Sequence, residues 1–330
     1  MAEPLYPLLF EPHLAERPWG GDALHTVLDK SLPVGKKIGE SWEIYSDNVI
    51  ANGALAGRTL RDVLREYGDQ VGAHVGDEFP VLIKFLDARE WLSVQVHPND
   101  QQAKTIENQP RGKTECWYIL EADEGAQIAY GAAQSLSADD YRAAIAAGTV
   151  RDTLAYVNVA AGDFIYVPAG TPHAIGPGIV LYELQQASDT TYRVYDWDRA
   201  GVDGKPRELH IEKALAVMDL QPRTDVVQNQ QRGKPDMRGN WVIELVRSPY
   251  FALDRVRVPA PEAVYNTSGK CHLISVINGT IAINDVEVPK GSSVLIPASL
   301  GRYTLYNIFN EDTTDDTIPG SADVLRAWPI

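Results

Sequence analysis

The sequence predicts a mainly β chain folded as two sandwich-like units, with a small helical insertion in the first. Three observations carry that reading. Short β-rich runs recur along most of the chain, a polar aperiodic stretch interrupts them near residue 235, and one strand-and-turn phrase occurs twice. At 330 residues the chain exceeds what one compact core normally spans. Gln221 to Asn240, rich in Gln, Asn, Pro, Arg and Gly, is the expected linker, dividing the chain into residues 1–235 and 236–330. The repeated phrase runs from Gly162 to Gly170 and again from Gly291 to Ser299: a turn glycine opens a strand that closes on Pro-Ala. The first copy continues to His173, whereas the second reaches Arg302 and no histidine. An internal duplication is expected, with any metal confined to the first copy.

Each element follows from local pattern. In Ile38–Tyr45, Ser41, Glu43 and Tyr45 alternate with Trp42 and Ile44, which predicts a strand with one polar face. Leu60, Val63, Leu64 and Tyr67 fall at helical spacing behind a Thr59/Asp62 capping box, so a helix is expected from Thr59 to about Gly72. Pro80–Asp87 and Leu92–His97 read as adjacent strands. In the second, Ser93, Gln95 and His97 alternate with Leu92, Val94 and Val96 and therefore share a face. Gly112–Leu120 is a further strand, with Glu115 and Trp117 on one side and Thr114, Cys116 and Tyr118 on the other. Ser137 caps a helix through Tyr141 and Ile145 that Gly148 stops; this is the helical insertion.

Phe164–Val167 and Ile179–Leu184 are strands, Ser188–Trp197 a polar-aromatic segment, and Leu209–Leu220 a helix. Beyond the linker, six short runs (Trp241–Arg247, Phe251–Val258, His272–Ile277, Thr280–Ile283, Ser293–Ile296 and Tyr303–Ile308) predict a small all-β sandwich.

A formal net charge of −15 repels nucleic acid and anionic lipid surfaces, so neither is an expected partner, and any anionic ligand must be held by local cations. No stretch approaches the ~20 apolar residues of a membrane span, and no basic segment precedes an apolar one at the N-terminus. With two cysteines, Cys116 and Cys271, a disulfide framework is excluded; a reducing cytoplasm is the expected location.

Gln95, His97, Glu115 and His173 offer two imidazoles, a carboxylate and an amide, a set that suits zinc or another borderline divalent ion with one position open. Spacing alone leaves His97 and His173 equally compatible with ordinary strand-end histidines. His13, His25, His74, His210 and His272 read as surface or satisfied core residues.

The block ending in His173 resembles the second conserved motif of the cupin superfamily. Gln95-Val96-His97-Pro98, Lys113-Thr114-Glu115, Ser188–Arg193, Trp19-Gly20-Gly21 and Gly39–Glu43, in that family's order, further resemble the short bacterial form of type I mannose-6-phosphate isomerase. The resemblance implies two cupin-type jelly-rolls, the second metal-free, and one Zn²⁺ per subunit on Gln95, His97, Glu115 and His173. It also implies an active-site arginine at Arg193 and pocket positions at Lys84, Lys113 and Glu183. The implied reaction interconverts mannose 6-phosphate and fructose 6-phosphate through a cis-enediol(ate).

The base is open among Glu183, a zinc-bound water and Lys113, whose proton a nearby metal would loosen. Ser93, Lys84 and Arg193 are the expected contacts of the small sugar-phosphate substrate, the alternative for Arg193 being a plain ion pair with Asp189 or Asp196. Two other readings stay open: a metal cupin of another class, such as a dioxygenase or epimerase, and a non-catalytic sugar-binding cupin.

Overall fold

The computed structural model describes residues 5–73, 76–224, 226–228, 234–235, 240–258, 262–308 and 321–330; His74 lies outside them. Among the described residues the period-two runs assemble into four sheets that face each other in two sandwiches and do not close into barrels. In the first sandwich a seven-stranded sheet runs in the order Val227–Gln228, Phe164–Val167, Glu115–Ala122, Ile179–Gln186, Val81–Ala88, Ile38–Ile44, His13–Gly21. Its five-stranded partner has the order Tyr192–Tyr195, Val94–Val96, His173–Ile175, Gln127–Ala132, Leu154–Asn158.

The second sandwich repeats this plan. Its seven-stranded sheet runs Leu8–Leu9, Ser293–Ile296, His272–Asn278, Ala322–Pro329, Phe251–Val258, Trp241–Arg247, Lys234–Pro235, facing a four-stranded sheet that begins Glu262–Asn266, Arg302–Asn307. Sheet pairing therefore crosses the expected division of the chain: Leu8–Leu9 and Lys234–Pro235 join the second sandwich. Within the expected linker, Val227–Gln228 and Lys234–Pro235 are edge strands, while residues 225, 229–233 and 236–239 lie outside the described residues. Edge strands need only backbone donors and acceptors on one side, so a polar, aperiodic sequence can supply them.

Register aligns the large sheets of the two copies. Glu115 pairs with Val167 in the first, and His272 pairs with Ile296, the residue that echoes Val167, in the second. In the small sheets Gln95 pairs with His173, and Tyr265 pairs with Tyr303, one residue beyond the position that echoes His173. Lys84 faces Glu183, as Asp254 faces Arg326 with the charges exchanged. In the second copy these groups satisfy one another: His272 Nδ1 lies 2.6 Å from the Tyr303 hydroxyl, and Arg326 donates to Asp254 at 2.6 Å.

The large sheet of the first sandwich is covered on both faces. Leu86, Trp117, Ile119 and Leu181 point into the sandwich. Ile83, Phe85, Tyr118, Tyr182 and Leu184 point the other way, onto Leu245, Phe251, Leu253 and Leu273 of the second unit. That double coverage explains why every residue of Val81–Ala88 and Ile179–Gln186 is buried. It also changes the reading of Ile38–Tyr45, whose polar side is buried between the units. There Ser41 donates to Glu43 at 2.6 Å, and Lys30 lies 2.7 Å from Glu43 while donating to the Gly291 carbonyl at 2.7 Å.

Helices α1 (Ala23–Leu28), α2 (Leu60–Val71), α3 (Asp100–Glu107), α4 (Ala138–Ala146) and α5 (Ile211–Val217) connect the strands. The Thr59 and Ser137 capping boxes form as the sequence predicts, and α5 is shorter than expected. Helix α3, which lacks an apolar stripe, is set by an Asn99/Gln102 capping box. Residues from α4 and α5 cover the outer face of the small sheet. Among the described residues no helix is long and apolar enough to cross a membrane.

Gly291 marks the joint between the units: its φ is 75°, and a Cβ there would lie 2.1 Å from the Leu28 carbonyl oxygen. Gly291→Ala combines left-handed strain with a backbone clash and should lower unfolding stability by about 2 kcal/mol or more, read from the urea midpoint. An unchanged midpoint would show that the joint yields freely.

Candidate active site

Period-two geometry brings the polar side chains to one end of the first sandwich. Ser93, Gln95 and His97 project inward from their strand, while Val94 and Val96 face the helices outside. Glu115 projects from the opposite sheet, and His173 starts the strand beside Gln95. His97, Glu115 and His173 are buried, with donor atoms within 4.8 Å of one another. His173 Nε2 lies 3.3 Å and His97 Nε2 3.6 Å from the Glu115 oxygens.

The second nitrogen of each ring fixes its orientation. His97 Nδ1 is 2.9 Å from the Thr190 carbonyl, and His173 Nδ1 is 2.9 Å from the Thr171 carbonyl. A carbonyl only accepts, so each Nδ1 carries the proton and each Nε2 presents a lone pair to the site. Burial, with help from Lys113, holds the His97 imidazole well below the usual histidine range and so neutral. Burial opposes ionisation of Glu115, but Lys113 and the two imidazoles overcome it and hold the carboxyl well below the usual range. Both Glu115 oxygens are buried without a well-aligned hydrogen bond, although Lys113 Nζ lies 2.8 Å away. Two aimed imidazole lone pairs around an orphaned carboxylate are the donor set of a divalent cation, and they fit one. Gln95 adds its amide 3.3 Å from His173 Nε2; a half-turn of that amide exchanges its oxygen and nitrogen.

A cleft of about 520 Å³ opens beside these residues, lined among others by Lys84, Ser93, Gln95, Lys113, Glu183 and Arg193. Every expected site residue thus lies at this one place. Lys84 sits 3.5 Å from Glu183, 3.8 Å from Glu40 and 4.9 Å from the Trp42 ring centroid. Trp117 Nε1 donates to Glu183 at 3.1 Å. Burial and the Glu115 charge push the Glu183 carboxyl above the usual range, against Lys113 and Lys84. Burial disfavours the charge of Lys113, but Glu115 and Glu183 outweigh it and raise its proton affinity above the ordinary lysine range. Arg193 makes no ion pair with Asp189 or Asp196. Its Nε donates to Ser93 at 3.2 Å and one terminal nitrogen to the Glu208 carbonyl at 2.9 Å, while Arg207 and Arg199 occupy Asp196.

A family model described as phosphomannose isomerase type I, catalytic domain, matches residues 8–129. A probable mannose-6-phosphate isomerase of Bacillus subtilis, GmuF, is 37% identical over 91% of this chain and 96% of its own length. The mannose-6-phosphate isomerase of Streptococcus mutans is 36% identical over 91% of this chain and 94% of its own. The chain belongs to the type I phosphomannose isomerase family. The crystal structure of a Bacillus subtilis mannose 6-phosphate isomerase, 31% identical, superposes with a TM-score of 0.85 over 98% of this chain and 99% of that one.

For this phosphomannose isomerase family member, the cleft also holds residues to which the sequence reading gave no role. Arg17 grips Glu40 through two bonds, 3.0 and 3.1 Å, and Trp42 Nε1 donates to Glu40 at 2.7 Å. Gly39 permits the close approach: a Cβ there would meet the Trp19 ring at 2.6 Å and Arg17 Cβ at 2.7 Å. The signal lay in the alternation of Glu40 and Trp42 on one strand face.

Burial raises the Glu40 carboxyl, but Lys84 and Arg17, with the bonds from Arg17 and Trp42, outweigh it and bring it to about 2. A depressed carboxyl stabilises the fold above its unfolded value of 4.5 and loses that contribution as pH falls towards about 2. The span corresponds to about 3 kcal/mol at neutral pH. Glu40→Gln should therefore lower stability by about that much at pH 7, with the gap to wild type narrowing below pH 4.5 in acid-titrated unfolding curves. A gap independent of pH would contradict the assignment.

Proposed function

We propose that the chain interconverts mannose 6-phosphate and fructose 6-phosphate, with one Zn²⁺ per subunit held by Gln95, His97, Glu115 and His173. The observation that carries this reading is the buried cluster of His97, Glu115 and His173, with each imidazole Nε2 aimed at the Glu115 carboxylate, at the wall of a charged cleft. The ion, when bound, supplies electrophilic polarisation of substrate oxygens.

The chain's own residues supply the rest. Moving a proton between C1 and C2 passes through a cis-enediolate whose oxygens carry developing negative charge. Lys113, held as a cation 2.8 Å from Glu115, and Arg193, without a carboxylate partner, stabilise that charge without reorganising. Glu183 is the base. It lines the cleft, its raised proton affinity suits it to take and return a carbon-bound proton, and Trp117 and Lys84 hold its two oxygens in place. Ser93 and Arg193, joined by a hydrogen bond, and Lys84 take the polar and anionic ends of the substrate. The buried, unpaired Cys116 and Cys271 support a reducing cytoplasm as the compartment.

Purified protein incubated with mannose 6-phosphate should yield fructose 6-phosphate, and complete removal of metal by a chelator should abolish the conversion. Turnover that survives complete metal removal would reject the metal-centred mechanism. Arg193→Ala should lower kcat by roughly 100-fold or more while metal content stays at wild-type level. Near-normal turnover in that variant would remove Arg193 from the reaction.

A further inference from the structure

Two consecutive non-glycine residues, Trp197 and Asp198, adopt left-handed backbone conformations, with φ of 57° and 54°. Such a pair is costly for L-residues and persists only where its surroundings hold it. Here the surroundings are visible. The Trp197 ring stacks on Trp91 with centroids 4.9 Å apart, and its Nε1 donates to the Leu92 carbonyl at 2.6 Å. Tyr195 packs on the same indole at 5.2 Å and donates to Asp198 at 3.0 Å. Leu92 immediately precedes Ser93, which accepts from Arg193, so the clamp ties the turn to the strand that carries Gln95 and His97.

The turn also governs the opposite wall of the cleft. Asp196, directly before it, is buried and accepts from Arg207 at 2.5 and 2.6 Å and from Arg199 at 2.9 Å. Residues 200–206 form a closed loop, with Ala200 bridged to Pro206 and Gly201 N donating to the Lys205 carbonyl at 2.7 Å. Gly201, Val202, Asp203 and Arg207 from this segment line the cleft facing Arg17 and Trp19. Arg199 and Arg207 thus pair with one buried aspartate, and Arg207 and Arg193 are the cations this side presents to the cleft, with Asp203 beside them.

We infer that Trp197 is a positioning residue for substrate binding: its clamped indole maintains the strained turn that sets Asp196 and, through it, the Arg207 wall of the cleft. The inference rests on the isomerase reading for its substrate, but the geometry is independent of which step is chemical. A displaced wall weakens the hold on an anionic sugar and leaves the metal-binding residues in place: Glu115, His173 and Glu183 project from strands the clamp does not touch, and the strand of Gln95 stays paired on both sides.

The test compares metal-loaded wild type, Trp197→Ala and Trp197→Phe. Trp197→Ala should raise KM for mannose 6-phosphate roughly tenfold with kcat within about twofold, unchanged metal content and loss of the paired-indole signal in near-ultraviolet circular dichroism. Trp197→Phe keeps a ring against Trp91 and loses the bond to Leu92, so its KM should fall between the two. An unchanged KM in Trp197→Ala, or a loss of kcat and metal content in both variants, would overturn the inference. Equilibrium binding of mannose 6-phosphate is measured in parallel. Wild type that binds but does not turn over defeats the isomerase reading alone, and a dissociation constant unaltered by Trp197→Ala defeats the positioning role alone.

Discussion

A row of buried charges of alternating sign crosses the large sheet of the first sandwich, and the site depends on it. Arg17 holds Glu40, Glu40 and Glu183 flank Lys84, and Glu183 and Glu115 face Lys113. Beyond half-buried Arg17, each charge is removed from water at a cost that only its neighbours offset, so deleting one leaves an uncompensated charge in the core. The row ends at Glu115, whose oxygens have too few partners within the chain. The deficit at the end of this row falls where the Nε2 atoms of His97 and His173 point, which makes that end receptive to a divalent cation.

Such a row requires a stiff, dry platform, and the second sandwich supplies it. Its residues cover the far face of the large sheet, so strands bearing Lys84 and Glu183 are fixed from both sides. Lys30 links the units by contacting both Glu43 and the Gly291 carbonyl. The second copy shows what becomes of the same framework without the deficit: His272, Arg326 and Asp254 occupy matching register positions and, with Tyr303, satisfy one another. Framework and metal chemistry are therefore separable properties of this sheet pattern.

Much of the site was legible because strand alternation dictates side-chain direction. Ser93, Gln95 and His97 had to share a face, and Glu115 had to share one with Trp117. The Thr190 and Thr171 carbonyls that orient the imidazoles were not legible, since a backbone carbonyl leaves no mark on residue identity. Nor was the burial of Glu43, because alternation says which side a residue takes and not what covers that side. The strand Ala322–Pro329 escaped notice as well. It is central in the second sandwich, but its Asp323 and Arg326 interrupt the apolar pattern and are neutralised by partners about seventy residues away. Family resemblance located Lys84, Lys113 and Glu183 in the pocket; only the packed structure showed that Lys113 lies 2.8 Å from Glu115.

The central claim is that Glu115, between His97 and His173, is an incomplete charge balance that one divalent ion completes. Calorimetric titration of metal-stripped protein with Zn²⁺ tests it directly, comparing wild type with a Glu115→Gln variant of unchanged circular dichroism. The account predicts one tight equivalent in wild type and its loss in the variant. Equal zinc binding by the two proteins, or none by wild type, would contradict it.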